Sequence, residues 1–179
     1  MKINVRQLTI DLWPALEELF GSKGACNGCW CMYWRIGSNY HKRSRELNKK
    51  DFKTIVKKGP PPGLIAFVDN IPVGWCQLTK KSSLPWLEKN YSSGHDNIPD
   101  VWCISCFYVK TGYRKIGVTS GLVAYAMKLA NRSGVKTIEA YPGNSNSSFT
   151  GYPSTFAKAG FKYHSHGKYN RTIMRLNLQ

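Results

Sequence analysis

Apolar positions along the chain fall into two periods. From Val101 to Val109 the sequence VWCISCFYV is nearly continuous in apolar, β-branched and aromatic residues, the pattern of a buried strand. Lys110 to Arg114, with Gly112, breaks it as a turn. Val118, Leu122, Tyr125, Ala126, Leu129 and Ala130 then recur at helical spacing. Gly134 stands where a helix C-terminal glycine belongs, and Lys136 to Ala140 is a second short strand. The centre of the chain thus predicts strand, turn, helix, strand.

The flanks follow the same logic. Lys2 to Ile10 alternates imperfectly and predicts an edge or near-edge strand. Asp11 is a candidate cap for a short helix with Pro14 in its first turn and Leu16, Leu19 and Phe20 facing inward. Gly21 to Gly28 is a loop. Leu47, Phe52, Ile55 and Val56 form a partial helical stripe within His41 to Lys58, ended by Gly59-Pro60-Pro61-Pro62-Gly63. Leu64–Val68 and Pro72–Leu78 predict strands joined at Asp69-Asn70-Ile71. The polar segment Lys80 to Asp100 is long enough to carry a short helix near Trp86–Tyr91 or to cover a site. Tyr141 to Ser148 reads as a flexible connection. A short helix follows, ending at Gly160, and Phe161–His166 and Thr172–Leu178 close the chain as strands. No repeat or interdomain linker interrupts residues 1–179, so a single domain is expected.

Charge changes the picture more than composition does. Lys and Arg number 26 against 10 acids, a net charge of +16, which favours anionic cofactors, polyanions or acidic surfaces. Abundant aromatics exclude a disordered chain. No long apolar run opens the sequence and none reaches membrane-spanning length, so a cytoplasmic protein with six reduced cysteines is expected.

Two clusters carry candidate chemistry. At the turn before the central helix stand Arg114, Lys115 and Gly117. Unpaired N–H groups and a partial positive charge collect at such a helix start, and a residue without a side chain lets an anion reach them. The arrangement suits a diphosphate; it also fits an ordinary basic turn. The second cluster is Cys26, Cys29, Trp30, Cys31, Tyr33 and Trp34. Three thiols without a nearby second pair make a poor zinc set. Cys103 and Cys106 lie on the predicted strand, and an offset of three would send them to opposite faces. No metal site is expected. The aromatics suit either a packed core or the wall of a ligand pocket.

Tyr113-Arg114-Lys115-Ile116-Gly117-Val118-Thr119 after a hydrophobic strand resembles the acetyl-coenzyme A signature of the GNAT acetyltransferases, Arg/Gln-x-x-Gly-x-Gly/Ala. Arg114 and Gly117 match; Thr119 stands where Gly or Ala is usual. Pro72-Val73-Gly74-Trp75-Cys76, Glu139-Ala140-Tyr141-Pro142 and Ala159-Gly160-Phe161 extend the likeness, in particular to an uncharacterised bacterial subgroup that shares the N-terminal Cys-rich aromatic segment. The resemblance implies an α+β fold with a central mixed sheet of about six or seven strands and helices on both faces. It implies acetyl-CoA as cofactor. Phe107 and Val109 would pair with the pantetheine amides. Residues Arg114, Lys115, Ile116, Gly117, Val118 and Thr119 would hold the diphosphate, with Lys110, Lys115 or Lys158 near the ribose phosphate.

The implied reaction is direct attack of an amine on the acetyl thioester, the oxyanion facing the Val109 N–H. Two positions depart from the family. Ser105 replaces a common Glu base and Phe156 a common Tyr acid. Substitute acids are Tyr152 and Ser154; substitute bases are Glu139, Asp100 and His95. Cys106 as an acyl-carrying nucleophile lacks a neighbouring His. A pocket that depresses the amine pKa needs no dedicated base. Trp30, Tyr33, Trp34, Trp75, Trp102 and Tyr141 are the expected acceptor wall, suiting a small, partly apolar or cationic amine. A nucleic-acid-binding module using the basic 42–58 region, or acylation of an anionic carrier such as aminoacyl-tRNA, is the alternative. A homodimer is open and a membrane partner is not expected.

Overall fold

In the computed structural model, residues 2–91, 98, 100–143 and 149–179 are described. Seven strands form one mixed sheet in the order β1-β2-β3-β4-β5-β7-β6. They are β1 (Ile3–Gln7), β2 (Gly63–Val68), β3 (Ile71–Lys80), β4 (Trp102–Val109), β5 (Thr137–Ala140), β6 (Lys162–His166) and β7 (Thr172–Asn177). The helices are α1 (Trp13–Phe20), α2 (Tyr33–Ile36), α3 (Arg45–Lys58), α4 (Pro85–Tyr91), α5 (Val118–Arg132) and α6 (Pro153–Lys158).

Strand alternation divides the core. Leu64, Ala66 and Val68 of β2 pack with Val118, Leu122, Val123 and Ala126 of α5 on one face. Ile65 and Phe67 pack with α1 and α3 on the other, among Leu16, Phe20, Phe52 and Val56. The expected fold, with helices on both faces, is the one observed. β1 is one edge strand of the sheet, paired with β2, and β6 is the other.

Local chemistry explains the boundaries. Asp69 and Asn70 both adopt left-handed φ, 47° and 65°, the two-residue turn that a tight hairpin requires. Val135 N–H donates to Ala130 O and Gly134 N–H to Asn131 O, closing α5 in a Schellman motif. Two start sites differ from expectation. Asp11 does not cap α1; it lies in a short 3-10 turn, and Leu12 holds the cap position. α3 begins at Arg45, where the Ser44 hydroxyl accepts the Leu47 N–H, and its first apolar residue is not inward: Leu47 is 43% exposed. Asn48 is buried instead, because its amide donates to the carbonyls of Gly28 and Tyr40.

One irregularity shapes everything near the site. Gln77 of β3 opposes Cys106, while the next residue, Leu78, opposes Ile104. Ser105 is therefore an extra residue on β4, a bulge. It resets the side-chain parity, so Cys103 and Cys106 share the α2–α4 face rather than pointing apart. The offset of three was counted on a regular strand, and the strand is not regular.

Candidate active site

β4 and β5 run parallel only from Trp102–Ile138 to Ile104–Ala140. Beyond the bulge β4 continues to Val109, whereas the chain leaves β5 through Tyr141 and Pro142. The β5-facing edge of Ser105–Val109 is thus open to other partners. Phe107 N–H points to that side and donates to Phe149 O at 2.5 Å; Lys110 N–H, of opposite parity, donates to Val73 O. By the same alternation Val109 N–H faces the opening.

Two cavities meet on this stretch. One, of about 680 Å³, is lined by Phe107, Tyr108, Val109, Tyr113, Arg114, Lys115, Gly117, Val118, Thr119, Ser120, Phe149, Gly151, Tyr152 and Thr155. It holds the start of α5. Gly117 is the cap residue with φ 92°, no side chain bonds the first turn, and no acid stands in it. The first helical bond found there is Gly121 N–H to Gly117 O, so the amides of Val118, Thr119 and Ser120 precede the helical ladder. A Cβ on Gly117 would meet nothing within 4 Å, so this glycine is required by its backbone and not by crowding. Seven of the eight expected cofactor residues line this cavity. Ile116, 40% exposed, does not, and neither do Lys110 and Lys158.

The other cavity, of about 730 Å³, is lined by Cys26, Cys29, Cys31, Tyr33, Trp34, Tyr40, Trp75, Tyr91, Cys106, Tyr108, Tyr169 and Arg171, among others, and among the described residues by no Asp, Glu or His. Phe107, Tyr108 and Phe149 line both. Of the expected acceptor wall, Tyr33, Trp34 and Trp75 are present. Trp30 is instead core, stacked on Trp13 at 5.8 Å. Trp102 packs on the α5 face of the sheet. Tyr141 is fully buried beneath the wall. Burial also holds thiols protonated: Cys29 is pushed up to about 11, with Cys106 adding to the effect, and Cys31 is raised as well. Among the described residues no group of three or more His, Cys, Asp or Glu is arranged to hold a metal ion.

The candidate acids and bases separate clearly. Ser105 is fully buried; its hydroxyl donates to Gln77 Oε1 at 2.9 Å, and its carbonyl accepts from Trp34 Nε1 at 2.8 Å. Where a base was looked for, the chain has a structural bond. Glu139 is 1% exposed and lines neither cavity. Lys81 at 2.7 Å and Tyr141 Oη at 2.5 Å bond its Oε2, and Arg175 at 2.6 Å bonds its Oε1. Burial alone would raise its pKa, but Lys81, Tyr141 and Arg175 together hold it below the ordinary carboxylate value. Both oxygens are committed, so Glu139 is unsuited to accept a proton at the site. Asp100 is exposed and paired with Lys80 at 2.6 Å. Ser154 is exposed and lines neither cavity. Tyr152, 42% exposed, lines the first cavity at the start of α6. His95 lies outside the described residues.

The chain's sequence matches the family model described as the acetyltransferase (GNAT) family over residues 27–148. The chain belongs to the acetyltransferase (GNAT) family. Its fold is similar to that of the PaiA N-acetyltransferase of Thermoplasma acidophilum in complex with coenzyme A, at 20% identity and TM-score 0.61 over 99% of this chain and 100% of that one. It is similar to an N-acetyltransferase from Staphylococcus aureus Mu50, at 15% identity and TM-score 0.61 over the whole of both chains. It also resembles yncA from Salmonella typhimurium, solved with its cofactor acetyl-CoA, at 15% identity and TM-score 0.61, covering 100% of this chain and 95% of that one. No curated protein matches it in sequence. Among the described residues no helix is long and apolar enough to cross a membrane.

Sequence reasoning missed Tyr108, Cys106, Tyr91 and Arg171 as cavity residues. For Tyr108 and Cys106 a signal existed, their alternation with Phe107, but its reading depends on the bulge. Arg171 carries no local signal; it enters through the β6–β7 hairpin. The basic α3 face is partly used inside the molecule. Lys49 pairs with Glu17 at 2.6 Å and lies over Trp30, and Lys53 lies over Trp13.

Proposed function

We propose that this GNAT acetyltransferase transfers an acetyl group from acetyl-CoA to an amine of a small-molecule acceptor, by direct attack in a ternary complex. The observation that carries the reading is the meeting of two cavities on Phe107 and Tyr108. One has an uncapped helix start and two cations; the other has an aromatic wall.

The residues present fit the cofactor. The amides of Val118, Thr119 and Ser120, with Arg114 and Lys115, form an anion site for the diphosphate. Phe107 and Val109 face the opening beside β4, although the Phe107 amide must first leave Phe149. Bound acetyl-CoA supplies an acetyl group activated as a thioester. Val109 N–H is the candidate donor to negative charge developing on the acetyl oxygen. Tyr152, in the wall of the same cavity, is the candidate proton donor to the departing thiolate. For the amine, no carboxylate or imidazole is in the aromatic wall among the described residues. Desolvation there lowers the amine pKa, and the amine reacts in the neutral form without a dedicated base.

The test is thermal stabilisation by coenzyme A. The expected result is a clear rise in melting temperature, lost in Gly117→Glu, whose carboxylate opposes the diphosphate. No rise at millimolar coenzyme A would overturn the proposal.

A further inference from the structure

Among the described residues the aromatic cavity contains one fixed cation, Arg171. Arg171 follows Tyr169 and Asn170, two consecutive non-glycine residues with left-handed φ of 58° and 55°. The loop is closed at both ends, Gly167 N–H donating to Arg171 O and Arg171 N–H to Lys168 O. The turn joins β6 to β7 and places the guanidinium in the cavity wall.

Among the described residues that guanidinium faces no acid. Its Nη1 donates to Tyr141 O at 3.1 Å and to Thr150 Oγ1 at 3.0 Å, both neutral acceptors. Among the described residues no carboxylate pairs with it, and no carboxylate lines the cavity. The contrast with Arg175, four residues on, is sharp: Arg175 bonds Glu139 at 2.6 Å. The Tyr91 hydroxyl, another neutral partner, also lies against it, so the guanidinium keeps its full charge for an anion. A planar fork of this kind matches a carboxylate. The surrounding wall of Tyr33, Trp34, Tyr91 and Tyr108 offers ring faces and phenols to an apolar or aromatic body. The same cation repels an acceptor with a second positive charge.

We infer that the acceptor is an amine bearing a carboxylate on an apolar or aromatic body, and that Arg171 receives the carboxylate. This rests on the acetyl-transfer reading above and narrows it. It also departs from the sequence expectation that a cationic amine would suit the pocket, because aromatic rings alone favour a cation whereas aromatic rings beside an arginine held by neutral partners do not.

The experiment is thiol release from acetyl-CoA with matched acceptors: phenylalanine against phenethylamine, tyrosine against tyramine, tryptophan against tryptamine, and spermidine as a polycation. The expected result is that, in at least one pair, the carboxylated member has the larger kcat/KM by about 10- to 100-fold, the range of a charge-assisted pair. Arg171→Met collapses that preference, read as the ratio of the two kcat/KM values within one preparation, a selective change that misfolding would not give. Arg171→Lys, which keeps the charge but not the fork, falls between. Preference for the decarboxylated amines or spermidine in the wild-type enzyme, which needs no variant to read, overturns the inference. So does an absence of turnover across the panel in protein that coenzyme A stabilises; that outcome leaves the acetyl-transfer reading standing. Absence of stabilisation by coenzyme A removes the reading beneath it as well.

Discussion

At the scale of single residues, the candidate acids and bases are sorted by their bonds. Glu139 sits between Lys81, Arg175 and Tyr141, with 1% exposure. A carboxylate so held stabilises the fold, and its lowered pKa sets the sign of the pH dependence. Its contribution is full above the ordinary value of 4.5 and is lost as pH falls below it towards the folded value. Glu139→Gln removes the buried negative charge that Lys81 and Arg175 share and is expected to cost about 3–5 kcal/mol in urea unfolding. The folded fraction should keep the wild-type pH–rate profile; a profile that loses its rise would instead make Glu139 the base. Tyr152→Phe addresses the other half of the reaction. It should lower kcat by about 10²-fold with coenzyme A stabilisation unchanged. An unchanged kcat would remove Tyr152 as the proton donor.

Elements explain which of these features the sequence could reveal. The α5 start was legible because it is local: a strand, a basic turn, Gly117 and a helical stripe follow one another between Val101 and Ala130, and each obeys a short-range rule. The β4 bulge was not, because every residue from Val101 to Val109 except Ser105 is apolar or aromatic, and a nearly continuous run hides a change of face. Cys103 and Cys106 were therefore placed on opposite faces when they share one. Trp30, Trp102 and Tyr141 were assigned to the acceptor wall from ring chemistry alone. Whether a ring faces a cavity or a core depends on neighbours such as Trp13 and Glu139, which are distant in sequence. The β6–β7 hairpin shows the same dependence. Gly167 passes so close to α4 that a Cβ there would meet Tyr91 Cδ1 at 2.4 Å. Gly167→Ala should push the hairpin, and Arg171 with it, off Tyr91. Acceptor KM is expected to rise about tenfold or more, while stabilisation by coenzyme A persists. Equal loss of both would mean that the hairpin supports the whole fold and not the acceptor cavity.

Across the whole molecule, two charge distributions coexist. The chain carries +16, yet its cations are mostly on surfaces, and among the described residues the aromatic cavity holds only Arg171. That positive environment and the absence of a lining base make one prediction about the complete enzyme. The kcat/KM should climb with unit slope towards the pKa of the free amine, and kcat should level at lower pH, where the bound amine titrates. A break in kcat/KM near about pH 6–7 would mean an enzyme base and contradict the base-free reading.

The central claim is that the α5 start and the open edge of β4 together hold the acyl carrier. A crystal structure with coenzyme A tests it most directly. The account predicts diphosphate oxygens within hydrogen-bond distance of the Val118, Thr119 and Ser120 amides, and a pantetheine amide on Phe107 in place of Phe149 O. Coenzyme A bound elsewhere, with the Phe107–Phe149 bond intact and those three amides turned to water, would contradict it.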